Sequence, residues 1–468
     1  MKHIQLTYFR CAVIMLTAGL LLFASCKKQD EWLDRKNTKS DVSPSTLQDF
    51  QAVLDNTTSF NGQGSVMGLM GADNLYITET ALDAEDQVNR NAYLWAKDIY
   101  NGTTAYDWYN DYRVVEFSNI VLEGLAKIKD DSESPDYRNV KGSALFYRAY
   151  AFYQLCQLYC KPYIAATAAD DPGIPLRQSS DVNQRVQRST VADAYELIIG
   201  DLKAAALLLP EIPLYRTRPS TVAVNALLAK IYLSMRDYDN AQLYADAALQ
   251  RFPALLDYNT LTITTADPFP TFAKSNPEII YYANCQGYLP LLNGGSSSSR
   301  ISPDLFQTYE SSDLRKTAYY AQSGTTGYYF FKGSYAASGY LFDGFGTDEL
   351  YLIRAECAAR RGDLSAALND LNLLLKNRYQ KTLFVPVSIA DQDALVSRIL
   401  LERRKELPYM ANTRWDDLRR LNQESRFAVT LTRLYHGVTY TLEPNDNRYV
   451  LPIPDDEIHL EGLAQNPR

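Results

Sequence analysis

Apolar residues recur at helical spacing along most of this chain. Val114, Phe117, Val121, Leu125 and Ile128 fall three or four apart, as do Leu145, Ala149, Phe152, Cys156 and Tyr159. A third run, Tyr195, Ile198, Leu202, Ala205 and Leu209, ends at Pro210, which cannot continue a helix. From about 252 to 346 the pattern changes. This stretch is rich in Pro, Gly, Ser and Tyr, and Asn293-Gly294-Gly295 is followed there by four serines, a flexible-loop composition. Two short runs inside it, 278–282 and 327–331, are dense in apolar and aromatic residues and predict strands. The expected fold class is mostly α: a helical scaffold over about 40–251 and 347–468, with a loop-rich insertion lobe containing short β-strands at about 252–346.

Two scaffold segments do more than alternate. Residues 225–253 resemble a tetratricopeptide repeat. Ala229 and Ala241 stand where two helices must approach, Tyr232 fills the face between them, Arg236-Asp237-Tyr238-Asp239 makes the turn, and Pro253 closes the unit. Residues 348–379 repeat the idea with Ala355, Gly362-Asp363 and Ala367 at matching places. The two units are far apart in sequence, so tetratricopeptide-like helix pairs are expected to pack together across the insertion.

The first 25 residues read differently again. Lys2 and Arg10 precede an apolar stretch from Cys11 to Phe23, then the small residues Ala24 and Ser25, then Cys26 and the polar run Lys27-Lys28-Gln29-Asp30-Glu31. A positive start, a short apolar middle and a small-residue cleavage site make an export signal. The apolar stretch is too short to span a bilayer, which takes roughly 20 residues. Cys26 directly after the site is the acceptor pattern of bacterial lipoproteins. Processing then removes residues 1–25 and leaves Cys26 lipidated at the head of a mature 26–468 domain. Stable anchoring takes more than one acyl chain.

Charge narrows the function classes. The formal net charge is −8, and loss of Lys2 and Arg10 with the signal takes the mature chain to −10. Nucleic acid is a poor partner for so acidic a chain, which has no basic footprint. Cys156 and Cys160 lie four apart on an expected helix, but only three His occur in the chain and no His or acid accompanies the pair, so buried thiols are expected and not a metal site. No nucleophile elbow, zinc-protease motif or P-loop is present, so no cofactor and no enzyme activity are expected. Asp83, Glu85 and Asp86 offer carboxylates for glycoside hydrolysis, but read better as an acidic surface loop. Glu402-Arg403-Arg404 reads as a partly buried ion-pair network. Asp455-Asp456-Glu457 after Pro454 suits a helix start.

Tyrosine stands out instead, at 35 residues, ten of them between 281 and 340. A second aromatic cluster runs Tyr93, Trp95, Tyr100, Tyr106, Trp108, Tyr109 and Tyr112. Trp108 and Tyr112 lead into a helix and are expected to pack. Aromatics on loops offer flat platforms with polar tips, which suit the apolar faces and hydroxyl rims of sugars.

Taken together the blocks resemble the SusD/RagB family of outer-membrane nutrient-binding lipoproteins of Bacteroidetes, over nearly the whole mature chain. Trp32-Leu33-Asp34 follows the Cys. Residues 144–155 resemble the family's long helix, 193–202 the next, and 348–356, 402–407, Arg414-Trp415-Asp416-Asp417-Leu418, Leu451-Pro452-Ile453-Pro454 and Gln465-Asn466-Pro467 follow in order. Cys160-Lys161-Pro162-Tyr163 and 409–413 depart from the family's usual loops. The resemblance implies a lipid-anchored outer-membrane protein, facing outward, that binds an oligosaccharide and delivers it to a TonB-dependent, SusC-like transporter. The same family allows a peptide or another non-sugar nutrient. A periplasmic tetratricopeptide-type scaffold and an exported glycosidase are the remaining readings. The candidate ligand residues are Asp73, Asn74 and Tyr76 in a Gly-led segment, Trp95 from the first aromatic cluster, and Tyr288, Arg300 and Tyr328 from the insertion.

Overall fold

The computed structural model describes residues 44–62, 64–128, 134–270, 276–285, 298–324, 327–336 and 340–468. Cys26 and Tyr288 lie outside the described residues. The fold is mostly α, with short strands in two-stranded sheets. Among the described residues no helix is long and apolar enough to cross a membrane.

Helix α1 (Leu47–Leu54) starts on a reciprocal cap: the Thr46 hydroxyl accepts from the Asp49 N–H and the Asp49 carboxylate accepts from the Thr46 N–H. It lies against α2 (Tyr106–Leu125) and α3 (Pro135–Tyr159). Helix α3 opens with Ser134 as cap and Pro135 in its first turn, where a missing N–H costs nothing. Every residue from Gly142 to Tyr159 is buried, so this helix is the central one, covered on all sides. Its one buried guanidinium, Arg148, is matched by Asp201 on α4 (Val191–Ala206) through two bonds of 2.8 and 2.9 Å, and by Asn119 on α2.

The two repeat-like units form as the alanine and turn pattern predicts. The first is α5 (Thr221–Ser234) with α6 (Tyr238–Arg251); the second is α7 (Thr347–Arg360) with α8 (Leu364–Lys376). Ala229, Ala241, Ala355 and Ala367 are fully buried at the close approaches, and Tyr232 stacks on Tyr244. The second turn passes through Gly362 at φ +85°, a conformation that glycine adopts without strain. Helix α6 packs on α7, with Arg354 bridging Asp246 and Asp370, so the units adjoin in space despite their separation in sequence. Helices α9 (Gln392–Glu406), α10 (Thr413–Leu421) and α11 (Asp455–Glu461) complete the set; α11 begins with three acids after Pro454.

Strands gather beside the scaffold. They are β1 (Leu75–Ile77), β2 (Pro172–Pro175), β3 (Arg188–Thr190), β4 (Ile279–Tyr281), β5 (Asn284–Cys285), β6 (Ser299–Ile301), β7 (Tyr320–Gln322), β8 (Tyr329–Phe331), β9 (Leu341–Phe342), β10 (Phe345–Gly346), β11 (Leu431–Tyr435) and β12 (Val438–Leu442). All six pairings are antiparallel. Among the described residues from 252 to 346 the longest helix is Arg315–Tyr319. Residues 57–62 and 64–93 also hold helices of seven residues or fewer on either side of β1, and join the lobe where β1 pairs with β6.

The lobe is fixed to the scaffold by buried charge. Arg315 meets Asp313, Glu402 and Glu406 at 2.6–2.9 Å, and Arg378 joins Glu406 to Glu278 at 2.6 and 2.8 Å. All six side chains are fully buried. Arg403 bonds Glu349 and Asp417. The Glu402-Arg403-Arg404 block is thus the ion-pair network that its composition suggests. Charges this deep are tolerated because each finds opposite charge and further hydrogen bonds. Cys156, Cys160, Cys285 and Cys357 are free and buried, and no group of three metal-ligating side chains occurs among the described residues.

Candidate functional site

Pairing of β1 with β6 sets Tyr76 opposite Arg300. The β7–β8 hairpin lies against β6 and brings Tyr328, just before β8, to the same place. The Tyr76 and Tyr328 rings meet edge to face, 6.3 Å between centroids at 74°. Tyr76 is half-buried and Tyr328 is 45% exposed, so the second ring offers nearly half of its surface to solvent. Burial and the neighbouring Tyr328 raise the Tyr76 phenol above its usual range, while Arg300 pulls it down; the Tyr76 phenol therefore stays protonated and able to donate at neutral pH. Arg300 donates through Nη1 to the Ser299 carbonyl at 2.8 Å.

An open cleft of about 690 Å³ adjoins this cluster through Tyr329. Phe306 and Tyr329 stack with centroids 4.0 Å apart, and Tyr320, Phe330, Lys316 and Lys332 are also in the lining. Lys332 is clamped by the carbonyls of Ile263 and Thr265, both at 2.8 Å, and burial lowers its ammonium pKa to about 8. No carboxylate lines the cleft among the described residues. The arrangement can stack a flat apolar face and offer N–H and O–H donors around it. Among the described residues it carries no paired carboxylates or activated nucleophile.

Of the seven ligand candidates, Tyr76, Arg300 and Tyr328 come together. Asp73 and Asn74 precede β1 but serve as clamps. Asp73 takes two bonds from Arg414 at 2.7 and 2.9 Å and one from Arg404 at 3.1 Å. Burial alone would raise its carboxyl pKa; the two guanidiniums outweigh that and hold it far below the usual range. Asn74 is fully buried, donates to the Pro408 carbonyl and accepts from Arg404. Trp95 requires a correction. It is 3% exposed, its indole N–H donates to the Gly71 carbonyl at 2.9 Å, and Arg433 lies over its ring at 4.4 Å. Its backbone sits at φ +52°, turning the chain directly after a short helix and driving the ring inward. Sequence reading did not single out Phe306, Tyr329, Lys316 or Lys332. The 327–331 run and the tyrosine-rich 281–340 stretch carried the signal for Tyr329, and the neighbouring Tyr329 and Phe330 both line the cleft.

Comparison with known proteins follows the same lines. A family model described as starch-binding, associating with the outer membrane, matches residues 31–233, and the SusD family model matches residues 346–468. SusD-like protein P2 of Formosa agariphila is 28% identical over 142 residues, covering 30% of this chain and 26% of that protein. The match thus spans about a quarter of that relative's length. Among solved structures, a SusD superfamily protein of Bacteroides thetaiotaomicron superposes with a TM-score of 0.73 at 21% identity, over 90% of this chain and 100% of that one. A SusD-like carbohydrate binding protein of Bacteroides vulgatus gives 0.69 at 19% identity, over 89% and 97%. These two likenesses establish the shared fold.

Proposed function

The chain belongs to the SusD family, and from that premise we propose that it is a cell-surface lipoprotein that captures an oligosaccharide and passes it to a TonB-dependent outer-membrane transporter. The observation that carries the ligand class is the exposed Tyr328 ring set against Tyr76, with Arg300 across the strand pair and an aromatic cleft alongside. Tyrosine platforms lose little side-chain entropy on binding, and the donors around them select hydroxyl patterns. The descriptions of the matching family model and of the Bacteroides vulgatus structure, starch-binding and carbohydrate binding, support a sugar over a peptide. Three basic groups, with no lining carboxylate among the described residues, make this site suited to neutral or acidic glycans.

The anchoring part of the proposal rests on Cys26 and the signal before it. The ligand part is tested by a glycan array probed with the purified soluble domain. Binding to a related set of glycans without their turnover is the expected outcome. A blank array together with binding to peptide libraries would replace the sugar with a peptide, and release of shortened products would make the protein a hydrolase.

A further inference from the structure

We propose that the pocket between α2, the 175–186 segment and α11 is a second binding site, which takes a neutral or amino sugar of disaccharide size or smaller and rejects acidic sugars. It lies on the helical scaffold and shares no lining residue with the Tyr76–Arg300–Tyr328 cluster or its cleft. Its volume is about 560 Å³, in the range of cavities that enclose small molecules. The floor is apolar and rigid. Trp108 and Tyr112 from α2 stand with centroids 4.7 Å apart, Val115 follows on the same helix, and Pro175 closes the side. The Tyr112 hydroxyl donates to the Pro175 carbonyl at 2.8 Å, which fixes that ring in place. Val182 and Val186 form the far wall.

Two buried polar atoms at this pocket lack partners among the described residues: the Trp108 indole N–H and Glu461 Oε2. The indole N–H is directed at the Glu457 carboxylate, outside good hydrogen-bond geometry but near enough to pull that carboxyl's pKa down against the larger rise from burial. Glu461 spends its other oxygen on Arg177 at 3.1 Å. A donor and an acceptor are thus left beside an aromatic floor whose two rings are tilted at 47° to each other. That is the complement of a pyranose ring, whose hydroxyls both donate and accept around an apolar face. Unmet buried groups of this kind in native folds call for a ligand or ordered water. Four carboxylates, Glu116, Asp181, Glu457 and Glu461, face two guanidiniums, Arg113 and Arg177. The excess of negative charge repels uronates and sulfated sugars and favours an ammonium group. The first site has the opposite polarity, so the two would sort sugars by charge.

The test uses glucosamine, N-acetylglucosamine, maltose and glucuronate as probes. Saturation-transfer NMR is recorded on the purified protein and on three variants, with a melting curve for each. Val186→Trp fills the pocket from its partly exposed wall, and Glu457→Gln removes one charge at constant shape. Tyr328→Ala removes the first site's platform. The expected result is transfer to glucosamine or to a neutral probe that Val186→Trp abolishes and Tyr328→Ala leaves intact. Glu457→Gln should weaken glucosamine roughly tenfold or more, the scale of one charge-assisted hydrogen bond. The proposal is overturned if no probe's signal is reduced by Val186→Trp, or if glucuronate binds this pocket as well as glucosamine does. Loss of the signal in Tyr328→Ala alone would assign it to the first site and also overturn the proposal, while leaving the first site's function standing.

Discussion

Trp95 and Tyr328 looked equivalent as platform residues, and the structure gives them opposite work. Tyr328 is exposed and supports little of the core, so Tyr328→Ala should weaken oligosaccharide binding by about 1–3 kcal/mol if the ring is a central anchor. Its melting temperature should stay within a degree or two of the parent's, on the order of a surface substitution. Trp95 is enclosed, hydrogen-bonded and covered by Arg433. Trp95→Ala should therefore lower stability by about 3–5 kcal/mol, the usual cost of deleting a buried large aromatic, which denaturant unfolding would read directly. Asp343 makes a pH prediction at the same scale. Burial pushes its carboxyl up to about 7, against the weaker pull of Lys230, Tyr150 and Gln154. Its folded pKa is above the unfolded value near 4, so the folded state holds the proton more tightly between those limits. Stability from this group is then present at low pH and is lost as pH rises through about 7. Asp416, raised to about 7 by burial, acts in the same direction. Melting curves of the parent should fall from about pH 4.5 to 7.5, and Asp343→Asn should flatten that slope; an unchanged slope would mean that Asp343 is ionised throughout.

Elements differ in how far the sequence discloses them. The helix pairs α5–α6 and α7–α8 were legible because every contact that defines a pair lies within about thirty residues, and small residues mark the close approaches. The caps of α1 and α4 are equally local. Pairing of β1 with β6 was not legible, since strands of three residues far apart in the chain carry no register signal of their own. That pairing is what assembles Tyr76 with Arg300, so the candidate residues could be chosen by type and still not be sorted. Asp73 and Asn74 belong to the same failure: a polar pair in a Gly-led segment reads as a rim, and only the approach of Arg404 and Arg414 shows it to be a clamp. The ion-pair network was foreseen from Glu402-Arg403-Arg404, but its reach into the lobe through Arg315 and Arg378 was not. Breaking one partner there should be severe. Arg378→Met leaves Glu278 and Glu406 buried with less compensation and should cost about 3–5 kcal/mol. A double-mutant cycle of Arg378→Met with Glu278→Gln should then recover part of the loss. Simple additivity would show that the network contributes no coupling between lobe and scaffold.

At the scale of the whole molecule, the family and its fold are established, while anchoring and transport are the parts that experiment must supply. Cys26→Ala should release the protein from the membrane fraction, and protease added to intact cells should degrade the parent if it faces outward. A lid over a transporter must stay attached while it opens, so the shared interface should exceed roughly 1,200 Å² and survive mild detergent. Affinity purification that returns the lipoprotein alone from several such detergents would count against a stable complex. The central claim is narrower than any of these: an oligosaccharide binds on the lobe, at the Tyr76–Arg300–Tyr328 cluster. Calorimetric titration of an array-selected oligosaccharide into the parent and into Tyr328→Ala tests it most directly. The expected result is saturable binding to the parent and at least a tenfold loss in the variant, about 1.4 kcal/mol, with both proteins melting alike. Equal affinity in the two proteins would contradict the account and move the sugar away from this cluster.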